Sequence, residues 1–518
     1  MKNTFQLAVV CMMAFFISCS PARNITNQDN QKIDIRFVQI NDVYEIDAIA
    51  GGKEGGMARV ATVKKQSLQK NKNSFLVIAG DFLSPSVYNS LSYEGKRIRG
   101  KQMVEAMNAA GVDIAVFGNH EFDIKEDELQ ERLNESHFQW ISSNSFHKRN
   151  SEILPFAKQK ANGLEPIPQT WIMDVSDEDG TRAKIGFIGI NIPFTKVDYV
   201  KYTDPLETAV RLYHQIKDSC DAVVAITHQA ETDDILLAKT LPGLALIIGG
   251  HEHDMRYDKI GNVIISKAHA NARSVYELDL HIDQKKKKNT VKSKLRMLDA
   301  SVPFDSATQE LVKKWTDIAN ASYASLGFDA RKIVWQKGPE LDGREAEIRQ
   351  RKTNFTRLIV HALEQAAPQS EVAIINSGSI RVDDILQAPI SQYDIIRTLP
   401  FGGGIEEVEM KGSLLKQILE VGRNNTGSGG FLQYSETLFY DAIQEKWTFQ
   451  KSEIPDDKIF RVAITSFLLT GGEANMSFLT PDNPGIIKVY PTKEGAKNPL
   501  SDVRLAIIQY MERHLPQP

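Results

Sequence analysis

The sequence predicts an α/β protein of at least two domains, on three observations. The chain has 518 residues, with 42% hydrophobic and 25% charged content, which is ordinary globular composition but too long for one core. From residue 32 to about 300, short β-branched runs alternate with stretches of helical spacing, the pattern of a central sheet covered by helices. After a long helical stretch near 307–327, a second set of strand-like runs begins.

Taken in chain order, Lys2 precedes an almost wholly apolar stretch over residues 5–17, too short to span a bilayer comfortably. Residues 1–18 therefore read as a secretory signal peptide. FISC at 16–19 resembles a bacterial lipoprotein signal, which implies that Cys19 is lipidated. The expectation is an exported protein, periplasmic or anchored to the outer membrane through that cysteine. Of three cysteines, Cys11 lies in the signal and Cys19 at its end, so Cys220 stands alone and no internal disulfide forms in the mature chain. Residues 19–31 form a polar tether. KIDIRFVQI, SFLVIAG, VDIAVFG, AKIGFIGI, DAVVAIT and LALIIGG read as buried strands, separated by helical stretches such as MARVATVKKQSLQK. A linker helix spans 301–327, and VAIIN and FRVAITSF are strands of the second unit, 328–518. A net charge of −4 gives no electrostatic case for binding a nucleic acid polymer, and the run KKKK at 285–288 reads as a solvated loop between strands.

The strand ends carry the chemistry. FVQI leads into Asn41-Asp42, with Tyr44 two places on, and FLVIA leads into Gly80-Asp81. DIAVF leads into GNHEFD (118–123), VVAI into Thr227-His228-Gln229, and ALII into GGHEHD (249–254). In open α/β sheets, ligands and catalytic groups gather outside the carboxyl ends of the strands. One at a time these residues have plainer roles: Asp42 and Asp81 as turn or capping residues, His228 as a satisfied core histidine. Two imidazoles at i and i+2 beside paired glycines, His251 and His253, are harder to explain by packing. Together, two Asp, one Asn and three His offer oxygen and nitrogen donors without thiolate, a set that suits Zn, Mn or Fe.

The ordered set Asp42, Gly80-Asp81, Gly118-Asn119-His120-Glu121, His228 and Gly250-His251-Glu252-His253 resembles the calcineurin-like metallophosphoesterases. In the second half, NSGSIR (376–381), LPFGGG (399–404), GGFLQYS (429–435) and SFLLTGGE (466–473) resemble the C-terminal domain of the 5′-nucleotidase family, which also includes UDP-sugar hydrolases and 2′,3′-cyclic nucleotide phosphodiesterases. The resemblance covers about 32–515. It implies a four-layer α/β/β/α sandwich over 32–300 and a second α/β domain over 328–518 that binds substrate. It also implies two divalent metal ions bridged by Asp81, with Asp42 and His253 on one and Asn119, His228 and His251 on the other. Two cations about 3.5–4 Å apart lower the pKa of a bridging water and neutralise phosphoryl oxygens. His120 would stabilise the phosphate or protonate the leaving alkoxide, with Asp123 orienting its ring. One position departs from the pattern: Tyr44 stands where the family has His. A neutral phenol is a poor ligand, and a phenolate would need a strongly acidic metal such as ferric iron. Tyr44 is therefore read as standing beside the site while water completes the shell.

For the substrate, the resemblance implies that Phe401 and Phe467 sandwich a nucleobase, a contact of about 1–3 kcal/mol per base; the plainer alternative is two core phenylalanines. Arg351 and Arg381 match arginines on the phosphate or ribose side, where a guanidinium fork suits oxyanions, and Asn376 matches the base-contacting Asn. Glu473 stands where Asp is usual, which leaves base specificity open. GGMAR (55–59) is a loop feeding a helix near the site, without the Lys-Ser/Thr of a phosphate-binding loop. The expected function is hydrolysis of nucleoside 5′-monophosphates, with a hinge-like rotation between domains. A UDP-sugar or dinucleotide pyrophosphatase, a 2′,3′-cyclic phosphodiesterase, a non-nucleotide esterase and a catalytically impaired nucleotide-binding protein stay open as alternatives.

Overall fold

The computed structural model describes residues 29–514 apart from 491, 493, 494 and 496; the expected signal peptide and Cys19 lie outside the described residues. No helix among the described residues is long and apolar enough to cross a membrane.

Two six-stranded sheets form the first half. In one, Lys32–Ile40, Ser74–Ala79, Ile114–Val116 and Gln139–Ile141 run parallel, and the hairpin Ser274–Asp283/Lys288–Met297 pairs antiparallel along Lys32–Ile40. The lysine run falls at the exposed turn of that hairpin. In the other, Arg182–Asn191, Ala222–His228, Leu246–Gly250 and Val263–Lys267 run parallel, with Thr170–Ser176 and Arg256–Ile260 as antiparallel edges.

Strand alternation decides what each sheet packs against. Along Lys32–Ile40, Ile33, Ile35 and Phe37 face the second sheet and meet Phe187, Val224, Ile226 and Ile248. Val38 and Ile40 face outward, under helices Met57–Lys70 and Lys101–Ala110. The second sheet turns Ile188, Ile190 and Ile247 outward under Pro205–Ile216 and Glu231–Thr240. Four layers result, as expected, with strands buried on both faces. Each fully buried Val, Ile or Phe contributes about 1.5–3 kcal/mol.

The helix expected as a linker runs Ser306–Ser325, capped by Asp305 accepting from the Thr308 N–H at 3.1 Å. It lies on Met57–Lys70 and Lys101–Ala110 as part of the first domain's outer layer, where Trp315 Nε1 donates to Glu105 at 2.9 Å. The second half is built on a five-stranded sheet in the order Leu432–Tyr434, Val372–Asn376, Ile459–Thr465, Ile405–Lys411, Ile486–Tyr490. Helix Gly412–Asn424 covers one face; Asn354–Ala366 and Val503–His514 cover the other. Partly buried polar contacts join the halves, including Tyr393 Oη donating to Glu45 and an Arg273–Asp384 ion pair.

Candidate active site

Five parallel strands end on one side of the sandwich, and each delivers a functional side chain within three residues of its end. Asp42, Asp81 and His251 adopt left-handed backbone, with φ of 53°, 57° and 89°, a conformation that costs a non-glycine residue energy and marks functional turns. Glycines make room for the crowding. A Cβ on Gly118 would lie 2.2 Å from Asp81 Oδ1, and one on Gly250 would lie 2.2 Å from the Ala79 carbonyl and 2.8 Å from His228 Nδ1.

Within this crowd, ligand atoms of Asp42, Asp81 and His228 all lie within 4.8 Å of one another. His228 Nδ1 donates to the Ala79 carbonyl at 2.8 Å, which fixes the tautomer and turns Nε2 toward Asp81 Oδ2, 3.0 Å away, and Asp42 Oδ1, 3.9 Å away. The His251 ring lies edge-on to His228 with centroids 5.4 Å apart, and the backbone N–H of His251 donates to Asp42 Oδ2 at 3.0 Å. His253 Nε2 stands 3.6 Å from Asp42 Oδ1. Its Nδ1 pairs with Asp383, a residue of the second domain.

These residues fit a divalent cation on their own geometry. Asp42 and Asp81 are carboxyls fully buried side by side, which demands a counter-charge. Asn119 Oδ1 is buried without a hydrogen-bond partner, as a ligand atom aimed at a cation would be, and His228 Nε2 faces the Asp81 carboxylate. Burial disfavours charge on all of them. At Asp81 the pull of His228 and His120 outweighs burial and holds the carboxyl well below the usual range, whereas at Asp42 burial wins and pushes it up. Burial and the neighbouring His228 push His251 down to about 4, leaving its ring neutral, the form that binds metals.

Tyr44 Oη sits among the ligands, 3.3 Å from Asp81 Oδ2, 3.4 Å from Asp42 Oδ1 and 3.0 Å from His253 Nε2. Burial, then the charges of Asp81 and Asp42, push its pKa well above 10, so it stands as a neutral phenol. His120 faces the cluster from the turn after Asn119. Its backbone N–H donates to Asp81 Oδ1 at 2.8 Å, its Nδ1 meets Asp123 Oδ2 at 2.6 Å, and its Nε2 meets Arg381 Nη2 at 3.0 Å. Arginine can only donate, so in this arrangement Nε2 accepts and the ring proton sits on Nδ1 facing Asp123. Burial opposes charge on His120, but Asp123 and Asp81 outweigh it and raise its pKa.

Glu121 and Arg349 are among the groups to which the sequence assigned no role. Glu121, quoted within GNHE, accepts four backbone N–H bonds, from Asp81, Phe82, Leu83 and Gly118, and so clamps the Asp81 turn to the Asn119 turn. Arg349 shares Glu345 Oε1 with Arg381, at 2.6 and 3.3 Å, and its Nε is buried without a partner. Two residues on, the Arg351 side chain is 66% exposed and pairs with Glu347. A lone polar loop, RQRKTN, gives no sign of which arginine points inward.

The remaining substrate residues lie apart from the cation cluster. Asn376 Nδ2 donates to Glu473 Oε2 at 2.6 Å and its Oδ1 accepts from Ser379 Oγ at 2.6 Å. Phe401 and Phe467 are 55% and 46% exposed, which removes the core reading for both. An interdomain cavity of about 580 Å³ is lined by Tyr44, His253, Arg381 and Asp383, but by neither phenylalanine.

A four-layer α/β sandwich with a buried oxygen and nitrogen donor set at its strand ends, beside an oriented histidine, defines a metal-dependent phosphoester hydrolase. Residues 35–255 match the calcineurin-like phosphoesterase family and residues 335–480 match the 5′-nucleotidase C-terminal domain. The chain thus carries a calcineurin-like phosphoesterase domain followed by a 5′-nucleotidase C-terminal domain. Its relatives include the 5′-nucleotidase of Bos taurus, 25% identical across 81% of this chain and 78% of that protein. The trifunctional nucleotide phosphoesterase YfkN of Bacillus subtilis is 24% identical across 81% of this chain, which spans only 31% of that longer protein. The 5′-nucleotidase precursor of Thermus thermophilus shares the fold, with a TM-score of 0.69 at 19% identity over 93% of this chain and 96% of that one.

Proposed function

We propose that the protein is an exported phosphohydrolase that cleaves nucleoside 5′-monophosphates to nucleoside and phosphate at a centre of two divalent cations, Zn, Mn or Fe. One observation carries the reading: Asp42, Asp81 and His228 converge beside the unpartnered Asn119 Oδ1, and His120 meets Arg381 at the edge of that cluster. Asp81 would bridge the cations, with Asp42 and His253 on one side and Asn119, His228 and His251 on the other. When bound, the cations supply a water of lowered pKa and neutralise phosphoryl charge.

The chain's own residues do the rest. Asp123 accepts from Nδ1 of His120 and holds the ring; when Arg381 turns from Nε2 to the phosphate, that nitrogen is free to take a proton from water and pass it to the leaving 5′-oxygen. Arg381 offers its fork to a phosphoryl oxygen, and Arg349, rather than the exposed Arg351, takes the part of the second arginine. Tyr44 Oη donates to one of the carboxylates or to His253 and, as a neutral phenol, would not itself hold a cation. Exposure of Phe401 and Phe467 suits a base sandwich, and Glu473, by holding Asn376, fixes the amide that would read the base. Because those rings do not line the cavity beside the cations, a rotation between the domains belongs to the proposal. The names of the mammalian relatives, 5′-nucleotidases, support the choice of substrate.

A panel of AMP, UDP-glucose and 2′,3′-cyclic AMP, run on metal-stripped protein supplied in turn with Mn, Zn and Fe, tests the substrate. The highest kcat/KM is expected on AMP; faster cleavage of UDP-glucose would reassign the reaction to a pyrophosphatase, and metal-loaded protein that turned over none of them would leave a nucleotide-binding protein. The apolar segment 5–17 and Cys19 support export with a lipid anchor. Incorporation of labelled fatty acid that persisted in Cys19→Ala would remove the anchor from the proposal.

A further inference from the structure

The loops that carry His228, His251 and His253 meet at a buried lysine that no role in the reaction has yet absorbed. Lys267, the last residue of Val263–Lys267, has a side chain with no solvent exposure. Its Nζ donates to the carbonyl of Gln229 at 2.6 Å and to that of Gly250 at 2.9 Å, and it pairs with the Glu252 carboxylate. Asp234, equally buried, stands 2.9 Å from the same nitrogen. Gln229 follows His228 directly, Gly250 precedes His251, and Glu252 lies between His251 and His253. An ammonium has three N–H groups, and here they join the end of one strand to the end of the next.

The surroundings are shaped for this. Gly249 has no side chain where a Cβ would come within 2.9 Å of Lys267 Cε. Glu252 is held from its other oxygen by the Glu231 N–H at 2.6 Å, and Asp234 from its other oxygen by Gln229 Nε2 at 3.0 Å. The next residue, Ala268, donates its N–H to Asn41 Oδ1 at 2.7 Å, while Asn41 Nδ2 donates to Asp42 Oδ2 at 2.7 Å. One strand end thus anchors the aspartate turn of the first sheet and both histidine loops of the second.

We propose that Lys267 is a positioning residue for the cation centre: it locks the His228 loop against the His251–His253 loop and so sets how tightly the centre holds metal. The inference rests on the metal reading above. Groups one step behind metal ligands commonly change affinity by about 10–100-fold when removed, and Lys267 braces both loops at once.

The test uses the full chain, stripped by chelator and titrated with Mn²⁺ alone, with free Mn²⁺ read by electron paramagnetic resonance. Lys267→Met removes the brace but leaves Asp234 buried beside no cation. Lys267→Met with Asp234→Asn removes the brace and the stranded charge together, so its thermal midpoint without metal should return toward wild type. Both variants should bind Mn²⁺ about 10–100-fold more weakly than wild type, and Glu252→Gln, on the half-exposed lip, several-fold more weakly. If the double variant regains wild-type affinity along with its stability, Lys267 only neutralises buried acids and the proposal falls. Unchanged affinity in Glu252→Gln counts against it in the same way. Wild-type protein that bound no Mn²⁺, Zn²⁺ or Fe²⁺ would instead remove the metal reading itself, a result distinct from either.

Discussion

The substitution Glu121→Gln takes one charge and one acceptor oxygen from a side chain that is 0% exposed. Oε1 accepts the N–H groups of Phe82 and Leu83 at 2.7 and 3.1 Å, and Oε2 accepts those of Asp81 and Gly118 at 2.9 and 2.6 Å. Whichever way the new amide turns, its NH₂ faces two of these donors. Two buried N–H groups lose their acceptor, at about 1–3 kcal/mol each, so the first domain should lose about 2–6 kcal/mol. Because the four amides belong to the turns bearing Asp81 and Asn119, metal should be lost in parallel. Urea unfolding of the stripped chain reads the stability, and metal content after gel filtration reads the centre. An unfolding midpoint and metal content equal to wild type would refute the clamp.

Three further outcomes follow from neighbouring geometry. Tyr44→His puts an imidazole where the phenol now lies among Asp42, Asp81 and His253 and should tighten binding of the more weakly held cation by about tenfold; looser binding in a Mn²⁺ titration would make the phenol itself a ligand. Phe401→Ala and Phe467→Ala should each raise KM for AMP by an amount matching about 1–3 kcal/mol of stacking while hydrolysis of p-nitrophenyl phosphate holds steady, and an unmoved KM for AMP would take the rings out of base recognition. Glu45 is 5% exposed and accepts from Tyr393 of the second domain, and burial, opposed by that bond and by Arg397, pushes its carboxyl up from 4.5 to about 7. The folded value lies above the unfolded one, so its stabilisation is complete below about pH 4.5 and is lost as the pH rises through 7. That difference is worth about 3 kcal/mol, and Glu45→Gln should flatten the stability profile between pH 5 and 8 by that amount; superimposable profiles would contradict it.

Local pattern carried the strands and the polar groups at their ends. The run AVVAIT is buried on both faces, as is the end of KIDIRFVQI from Phe37 on, so their apolar residues announce them, and a polar group after such a run has few places to go but the sheet's edge. Asp42, Asp81, Asn119, His228, His251 and His253 were legible for that reason. What escaped is non-local. Lys267 ends an apolar strand, where a lysine reads as an edge or surface residue until Asp234 and Glu252 are seen around it. Glu121 was quoted within a motif, but its four donors come from two turns separated by about forty residues. Asp383 lies 130 positions from its partner His253, and no spacing rule connects them. The helix at Ser306–Ser325 had the right period, yet its docking on the first domain depends on tertiary partners such as Glu105 that the period does not name.

The central claim is that distant side chains converge on cations that make this chain a phosphohydrolase. Phosphate release from AMP by chelator-stripped protein, followed while Mn²⁺ is added back and bound metal is counted, tests it most directly. Stripped protein should release no phosphate, activity should rise with bound metal to a plateau at about two ions per chain, and Asp81→Asn should lose both binding and turnover. Release undiminished by stripping, or loaded protein that frees no phosphate, would contradict the account.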